Sequence, residues 1–129
     1  MNYPELPSNR LWISDEISQA LSQRQPVVAL ESTVITHGLP FPQNLKLARE
    51  MEQQVRQQEA FPATIGIVDG QVCVGLQDAQ LERLAQAQDV RKISSRDFAP
   101  AMAQGASGGT TVAGTLIAAH AAGIRVFAT

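Results

Sequence analysis

Val27-Val28-Ala29-Leu30-Glu31-Ser32-Thr33-Val34-Ile35-Thr36-His37-Gly38 carries a carboxylate out of an apolar run and into a polar turn. The first four residues follow Pro26 and are rich in β-branched side chains, so they predict a strand buried on both faces. Glu31 stands where that strand emerges. Desolvation at such a place favours the protonated carboxyl, which suits the residue to donate a proton near neutral pH unless a cation lies beside it. A strand-end glutamate also has a structural reading, pairing with a lysine or capping a nearby turn, and the stretch alone leaves both open.

Upstream, residues 1 to about 14 hold Pro4 and Pro7 and no sustained period, so they read as an extended arm that packs through Leu11, Trp12 and Ile13. Ser14-Asp15-Glu16 then predicts a helix start, with the acids in the first turn, Ile17, Ala20 and Leu21 inward, and Pro26 as its end. Downstream, Thr36 to Asn44 is a loop fixed by Gly38, Pro40 and Pro42. From about Leu45 to Gln58, Leu47, Ala48, Met51 and Val55 recur at helical spacing and mark an amphipathic helix. Ala63 to Val68 reads as a second strand, and Asp69-Gly70 before Gln71 to Gly75 predicts a tight hairpin.

A short helix starts near Asp78, and Val90 to Ser94 is a short strand containing Lys92. Ser95-Arg96-Asp97 offers caps for a brief helix from Ala99 to Gln104. Gly105 to Gly109 reads as a flexible glycine loop feeding an alanine-rich helix, whose first residues are Thr110 and Thr111 and which Gly123 closes. Ile124 to Ala128 is a last strand. This order predicts an α/β fold, a mixed β-sheet flanked by helices in one domain over residues 1–129. Ligands in open α/β sheets sit beyond the carboxyl ends of the strands, and Thr129 directly follows such an end. The expectation is a truncated sandwich, the N-terminal part of a larger domain, with a sheet edge open to pairing or aggregation.

Composition narrows the function classes. The chain of 129 residues is 44% hydrophobic and 17% charged, which suits one globular core. Its formal net charge of -2 gives no electrostatic case for nucleic acid or a membrane surface. The single cysteine, Cys73, rules out an internal disulfide, and the start lacks the basic segment and apolar run of a signal peptide. A cytoplasmic location is the expectation.

Gly108-Gly109-Thr110-Thr111 ahead of a helix can present backbone N–H donors and two hydroxyls to an anion, with phosphate the natural guest. It lacks the lysine and spacing of a Walker A motif and does not match the dinucleotide fingerprint; equally, two glycines can simply let a strand turn tightly into a helix. Lys92 can reach a substrate phosphate or ring oxygen, or be an ordinary solvated lysine. His37 can contact substrate, although a loop histidine bonded to backbone is the commoner case. His120 is read as packed on its helix, and two histidines without a cysteine partner make no zinc site. Asp69 fits the hairpin turn, Asp97 a cap and Cys73 a buried strand position.

Taken together, Ala29 to Pro40, Pro62-Ala63-Thr64-Ile65-Gly66, Arg91 to Asp97 and Gly108 to Thr115 resemble one family, the pseudouridine-5'-phosphate glycosidases, also called indigoidine synthase A-like proteins. The resemblance runs from about Arg10 to Thr129. It implies an α/β/α sandwich, commonly a homotrimer. The implied activity is reversible cleavage of the C–C glycosidic bond of pseudouridine 5'-phosphate, a small phosphorylated C-nucleoside, to uracil and ribose 5-phosphate with a manganese ion. It further implies Glu31 as proton donor, with Lys92 and Val112 as substrate contacts, Val112 through its backbone. Thr110 and Thr111 are then phosphate neighbours on physical grounds.

A C-glycosidic bond offers no ordinary leaving-group oxygen to protonate, and the family answers with a lysine nucleophile. Condensation with the opened ribose gives an iminium that accepts electrons as the bond to uracil breaks. That lysine and the family's metal-binding aspartate lie beyond the segment matching Phe127-Ala128-Thr129. No metal ligand is therefore expected in this chain, and the chain alone is expected to be inactive. Two other functions stay open: a non-catalytic fragment that binds a sugar phosphate or a protein partner, and a nucleotide-dependent phosphotransferase using the glycine loop.

Overall fold

Residues 6–129 are described by a computed structural model. In chain order they form β1 (Leu11–Ile13), α1 (Asp15–Ser22), β2 (Val27–Leu30), α2 (Gln43–Gln57), β3 (Phe61–Val68), β4 (Gln71–Val74), α3 (Asp78–Gln86), β5 (Arg91–Ile93), α4 (Phe98–Ala103), β6 (Gly108–Thr110), α5 (Val112–Ala122) and β7 (Val126–Ala128). The strands make one sheet in the order β1-β4-β3-β2-β7, with β6 against β3 and β5 against β6. β2 runs parallel to both β3 and β7, whereas β3 is antiparallel to β4 and β6, so the sheet is mixed.

Strand alternation divides the apolar residues into two cores. Val27 and Ala29 of β2, Ala63, Ile65 and Ile67 of β3, and Ile93 of β5 pack with Ile17, Phe98 and Ile117, beneath α1, α4 and α5. Cys73, Val68, Leu76 and Ile35 pack with Leu45, Ala48, Leu81 and Leu84, beneath α2 and α3. The result is the expected α/β/α sandwich. Asp69 (φ 49°) and Gly70 (φ 76°) both take left-handed conformations, the requirement of a tight hairpin turn, and join β3 to β4 as the sequence predicts.

Four local expectations are corrected. Leu11, Trp12 and Ile13 belong not to a packed arm but to a strand in parallel register with Val72, Cys73 and Val74; residues 1–5 of that arm lie outside the described residues. Helix α1 ends at Ser22, ahead of Pro26, and the chain turns through Arg24 (φ 55°). Part of the presumed proline loop, Val34–Gly38, winds into a π-helical turn. The buried Asn44 side chain holds it, donating to the carbonyls of Ile35 and Ala85, each at 2.9 Å. Finally, Gly108 and Gly109 are not a flexible loop. They are buried strand residues, and α5 starts at Val112, with Thr111 as its N-cap and Thr110 in the sheet.

The sheet is organised around β3. β2 runs beside its first half, Phe61 to Thr64, and β6 lies along the same edge opposite Gly66 and Ile67. The carboxyl ends of β2 and β6 therefore meet head to head at Ile65. Ser32 and Thr110 stitch the meeting point: the Ser32 hydroxyl donates to the Ile65 carbonyl (2.5 Å) and accepts from the Thr110 amide (2.8 Å). The Thr110 hydroxyl lies 2.9 Å from the same carbonyl and 2.7 Å from the Thr115 hydroxyl. Ser32, Thr110 and Thr115 are all fully buried, so each polar group has to be satisfied within the protein.

Beside α1, the half-buried carboxyl of Glu52 accepts from the Thr64 hydroxyl at 2.6 Å. Burial pushes its pKa up, against the opposing pull of the Thr64 bond and of Arg56. The folded chain thus binds a proton more tightly than the unfolded chain does, so stability from this group is full at low pH and is lost as pH rises from about 4.3, the unfolded value, through the higher folded value. Glu52→Gln keeps an acceptor for Thr64 without titrating. Thermal melts at pH 4 and pH 7.5 are expected to show a smaller loss of Tm on raising pH in the variant. Equal losses in the two proteins would contradict the assignment.

Candidate functional site

Glu31 immediately follows β2, in the middle of the sheet, and is half-buried. It continues the parity of Val27 and Ala29, which face the core beneath α5. The Thr129 hydroxyl, just past the end of the neighbouring parallel strand β7, donates to Glu31 Oε1 at 2.8 Å. Among the described residues no ion pair engages this carboxylate. The lysine-pairing reading of Glu31 is thus not what this structure contains.

The glycine-threonine segment reaches the same junction from the other side. The Thr111 hydroxyl accepts from the Gly114 amide at 3.1 Å, and the Thr111 amide donates to the Ile93 carbonyl at 2.9 Å. These bonds fix the first turn of α5, where backbone N–H groups lack helical acceptors and the helix dipole favours an anion. Val112 is the first residue of the helix and is 41% exposed. Thr110 has a different position from its neighbour: its hydroxyl is closed off and engaged by Ile65 and Thr115. What its side chain does here is hold β6 in place.

Lys92 is exposed on β5, in register with Gly109. Its neighbour Ile93 faces the core beneath α5, so Lys92 alternates to the opposite face, that of the π-helical turn. Glu31 therefore lies past the carboxyl end of β6, and Lys92 lies beside β6 on β5. His37 bonds a side chain, not backbone: its Nδ1 lies 2.7 Å from the Thr36 hydroxyl. His120 is exposed on α5. Asp69 pairs with Arg83, which holds its carboxyl below the usual range, while Asp97 accepts from the Ser94 amide at 2.9 Å.

Thr33 escaped sequence reasoning. Among the described residues its hydroxyl is the buried side-chain polar atom that finds no partner, at a cost of about 1–3 kcal/mol. It sits two residues from Glu31, and no spacing rule marks it. Cys73 is buried and its thiol is pushed up to about 11 by desolvation, so it stays protonated and inert. Among the described residues no group of three or more His, Cys, Asp or Glu side chains could hold a metal ion. The manganese implied by the family resemblance thus finds no such cluster among the described residues. No helix among the described residues is long and apolar enough to cross a membrane.

A family model described as indigoidine synthase A like protein matches residues 16–129. A pseudouridine-5'-phosphate glycosidase of Salinispora tropica is 60% identical over 114 residues, covering 88% of this chain and 35% of that protein. Pseudouridine-5'-phosphate glycosidase 1 of Rhizobium johnstonii is 49% identical over 129 residues, covering 100% of this chain and 41% of that protein. Among solved structures, the prealnumycin C-glycosynthase AlnA in complex with ribulose 5-phosphate is similar at a TM-score of 0.84 and 48% identity, over 95% of this chain and 39% of that one. An indigoidine synthase A-like protein from Thermotoga maritima is similar at a TM-score of 0.80 and 26% identity, over 100% of this chain and 42% of that one. The chain thus spans about two-fifths of the length of these relatives. From the match over most of its length and the shared fold, this chain belongs to the indigoidine synthase A-like family.

Proposed function

We propose that this chain supplies the proton donor and the sugar-phosphate edge of a C-glycosidase site acting on pseudouridine 5'-phosphate, with uracil and ribose 5-phosphate as products. One observation carries the reading: β2 and β6 meet head to head, which sets Glu31 beside the first turn of α5. In this proposal Glu31 gives its proton to the departing base. Lys92, Thr111 and the main chain of Val112 hold the sugar phosphate, while Thr110 supports them from within the sheet. The orphaned hydroxyl of Thr33 is the kind of group an incoming polar substrate satisfies. The relatives' names and the ribulose 5-phosphate complex of AlnA support a phosphorylated sugar as ligand.

The test joins this chain at Thr129 to the C-terminal remainder of the Salinispora tropica relative. The chimera is expected to release uracil from pseudouridine 5'-phosphate with manganese and to lose that activity in EDTA, whereas the chain alone is expected to bind ribose 5-phosphate without turnover. Light scattering of the chimera is expected to give a trimer. An inactive, folded chimera beside an active relative would refute the assignment. A second reading, C-glycoside synthesis with an acceptor other than uracil, draws on the similarity to a C-glycosynthase. It predicts that the chimera binds ribose 5-phosphate yet neither releases nor couples uracil.

A further inference from the structure

We propose that His37 is a second contact to the substrate phosphate, beside Lys92, with its imidazole aimed by Thr36. The inference rests on the sugar-phosphate reading above. Gly109 is the seat of the arrangement. A Cβ there would collide with the Thr36 hydroxyl, so Thr36 lies directly on the β6 backbone. Lys92 is the register partner of Gly109 on β5, one strand away, a spacing of about 4.8 Å. Val34 and Ile35 pack in the core beneath α2 and α3, which places the π-helical turn on the face to which Lys92 alternates.

The hydrogen bonds then decide which ring atom is offered. The Thr36 hydroxyl lies 2.7 Å from His37 Nδ1 and, at the longer distance of 3.4 Å, can donate to the Ser32 carbonyl. When the hydroxyl proton goes to Nδ1, by much the shorter of the two contacts, the neutral ring carries its own proton on Nε2, on the side away from Thr36, and His37 is exposed. Among the described residues ion pairs engage Arg49, Arg56 and Arg83, and none engages Lys92. An ammonium without a carboxylate partner and an imidazole N–H on one face suit the acceptor oxygens of a phosphate monoester.

The experiment measures ribose 5-phosphate and ribose binding to the 129-residue chain by NMR and calorimetry. In the unmutated chain, ribose 5-phosphate is expected to shift the His37 ring resonances, and ribose is not. The side-chain amide of His37→Asn can keep the Thr36 bond but has nothing at the Nε2 position, so ribose 5-phosphate affinity is expected to fall about tenfold. His37→Gln, which reaches the Nε2 position, is expected to lose less, and ribose affinity is unchanged in both. If Lys92→Ala weakens ribose 5-phosphate binding while His37→Asn does not, the His37 proposal fails and the site reading stands. If neither variant changes binding, or the chain binds no ribose 5-phosphate, both fall. Equal weakening of ribose and ribose 5-phosphate by His37→Asn would overturn the phosphate contact.

Discussion

Gly109→Ala is expected to cost this protein about 3 kcal/mol or more, a large share of the stability of a small domain. The new methyl carbon would lie against Thr36 Oγ1, 2.8 Å from the Ser32 carbonyl oxygen and 3.0 Å from its carbon. A side chain can rotate away, but that carbonyl cannot. It accepts from the Ile35 amide at 3.0 Å and the Thr36 amide at 3.1 Å, while the Ser32 amide is tied to the Thr110 carbonyl at 3.2 Å. Relief would have to open the junction of β2 and β6, stranding the buried hydroxyls of Ser32 and Thr110. Gly38→Ala is the control, because its nearest new contact is an ordinary 3.4 Å to a Val34 methyl. Urea melts should show a large fall in midpoint for Gly109→Ala and little change for Gly38→Ala. A wild-type midpoint for Gly109→Ala would mean that β6 does not lie where it is described.

The largest catalytic effect is expected from Glu31→Gln in the chimera, where uracil release should fall by about 10²–10⁴-fold, the range of a general acid. The substitution is nearly isosteric, and its amide oxygen can accept from Thr129 as Oε1 does. Affinity for ribose 5-phosphate and the melting temperature should therefore stay near wild type. That pattern, turnover lost with binding and fold kept, separates a proton donor from a structural residue. Uracil release within a few-fold of wild type would remove Glu31 from the acid's role.

Val27 to Leu30 and the Asp69-Gly70 hairpin were legible in the sequence because their signals are local: an apolar run bounded by proline, and a dipeptide suited to left-handed conformations. Leu11 to Ile13 were not, because three residues carry no period and their parallel partner, Val72 to Val74, lies far along the chain. The turn at Val34 to Gly38 begins with three β-branched residues, which argue against any helix, and the Asn44 bonds override that preference from outside. Gly108 and Gly109 misled for a related reason. Glycine gives the same sequence signal whether the chain must flex or a neighbour must approach closely, and only the neighbour, here Arg91 or Ser32, distinguishes the two.

The site divides in the same way. Glu31 drew notice because a carboxylate at a buried strand end is anomalous in the sequence itself. Its half-buried place just past β2 agrees with that reading, while the acid's role came from the family resemblance. Thr110 and Thr111 look equivalent on paper, yet one is fully buried and the other caps a helix, a distinction set by where β6 ends. Thr36 gave no sign, since its part depends on a glycine with which it shares no sequence pattern.

Because β2 and β6 are both registered on β3, the distance from Glu31 to Val112 is counted in residues of β3 and not in the lengths of the connections between them. β3 thus works as a ruler. Connections such as residues 39–42 and 104–107 can lengthen across the family at only about 0.6 kcal/mol per doubling without moving the acid relative to the helix. A single residue inserted between Thr64 and Gly66 would shift one neighbour along the ruler and turn its side chains to the other face. Divergence in this family should therefore accumulate in loop length and spare the spacing within β3.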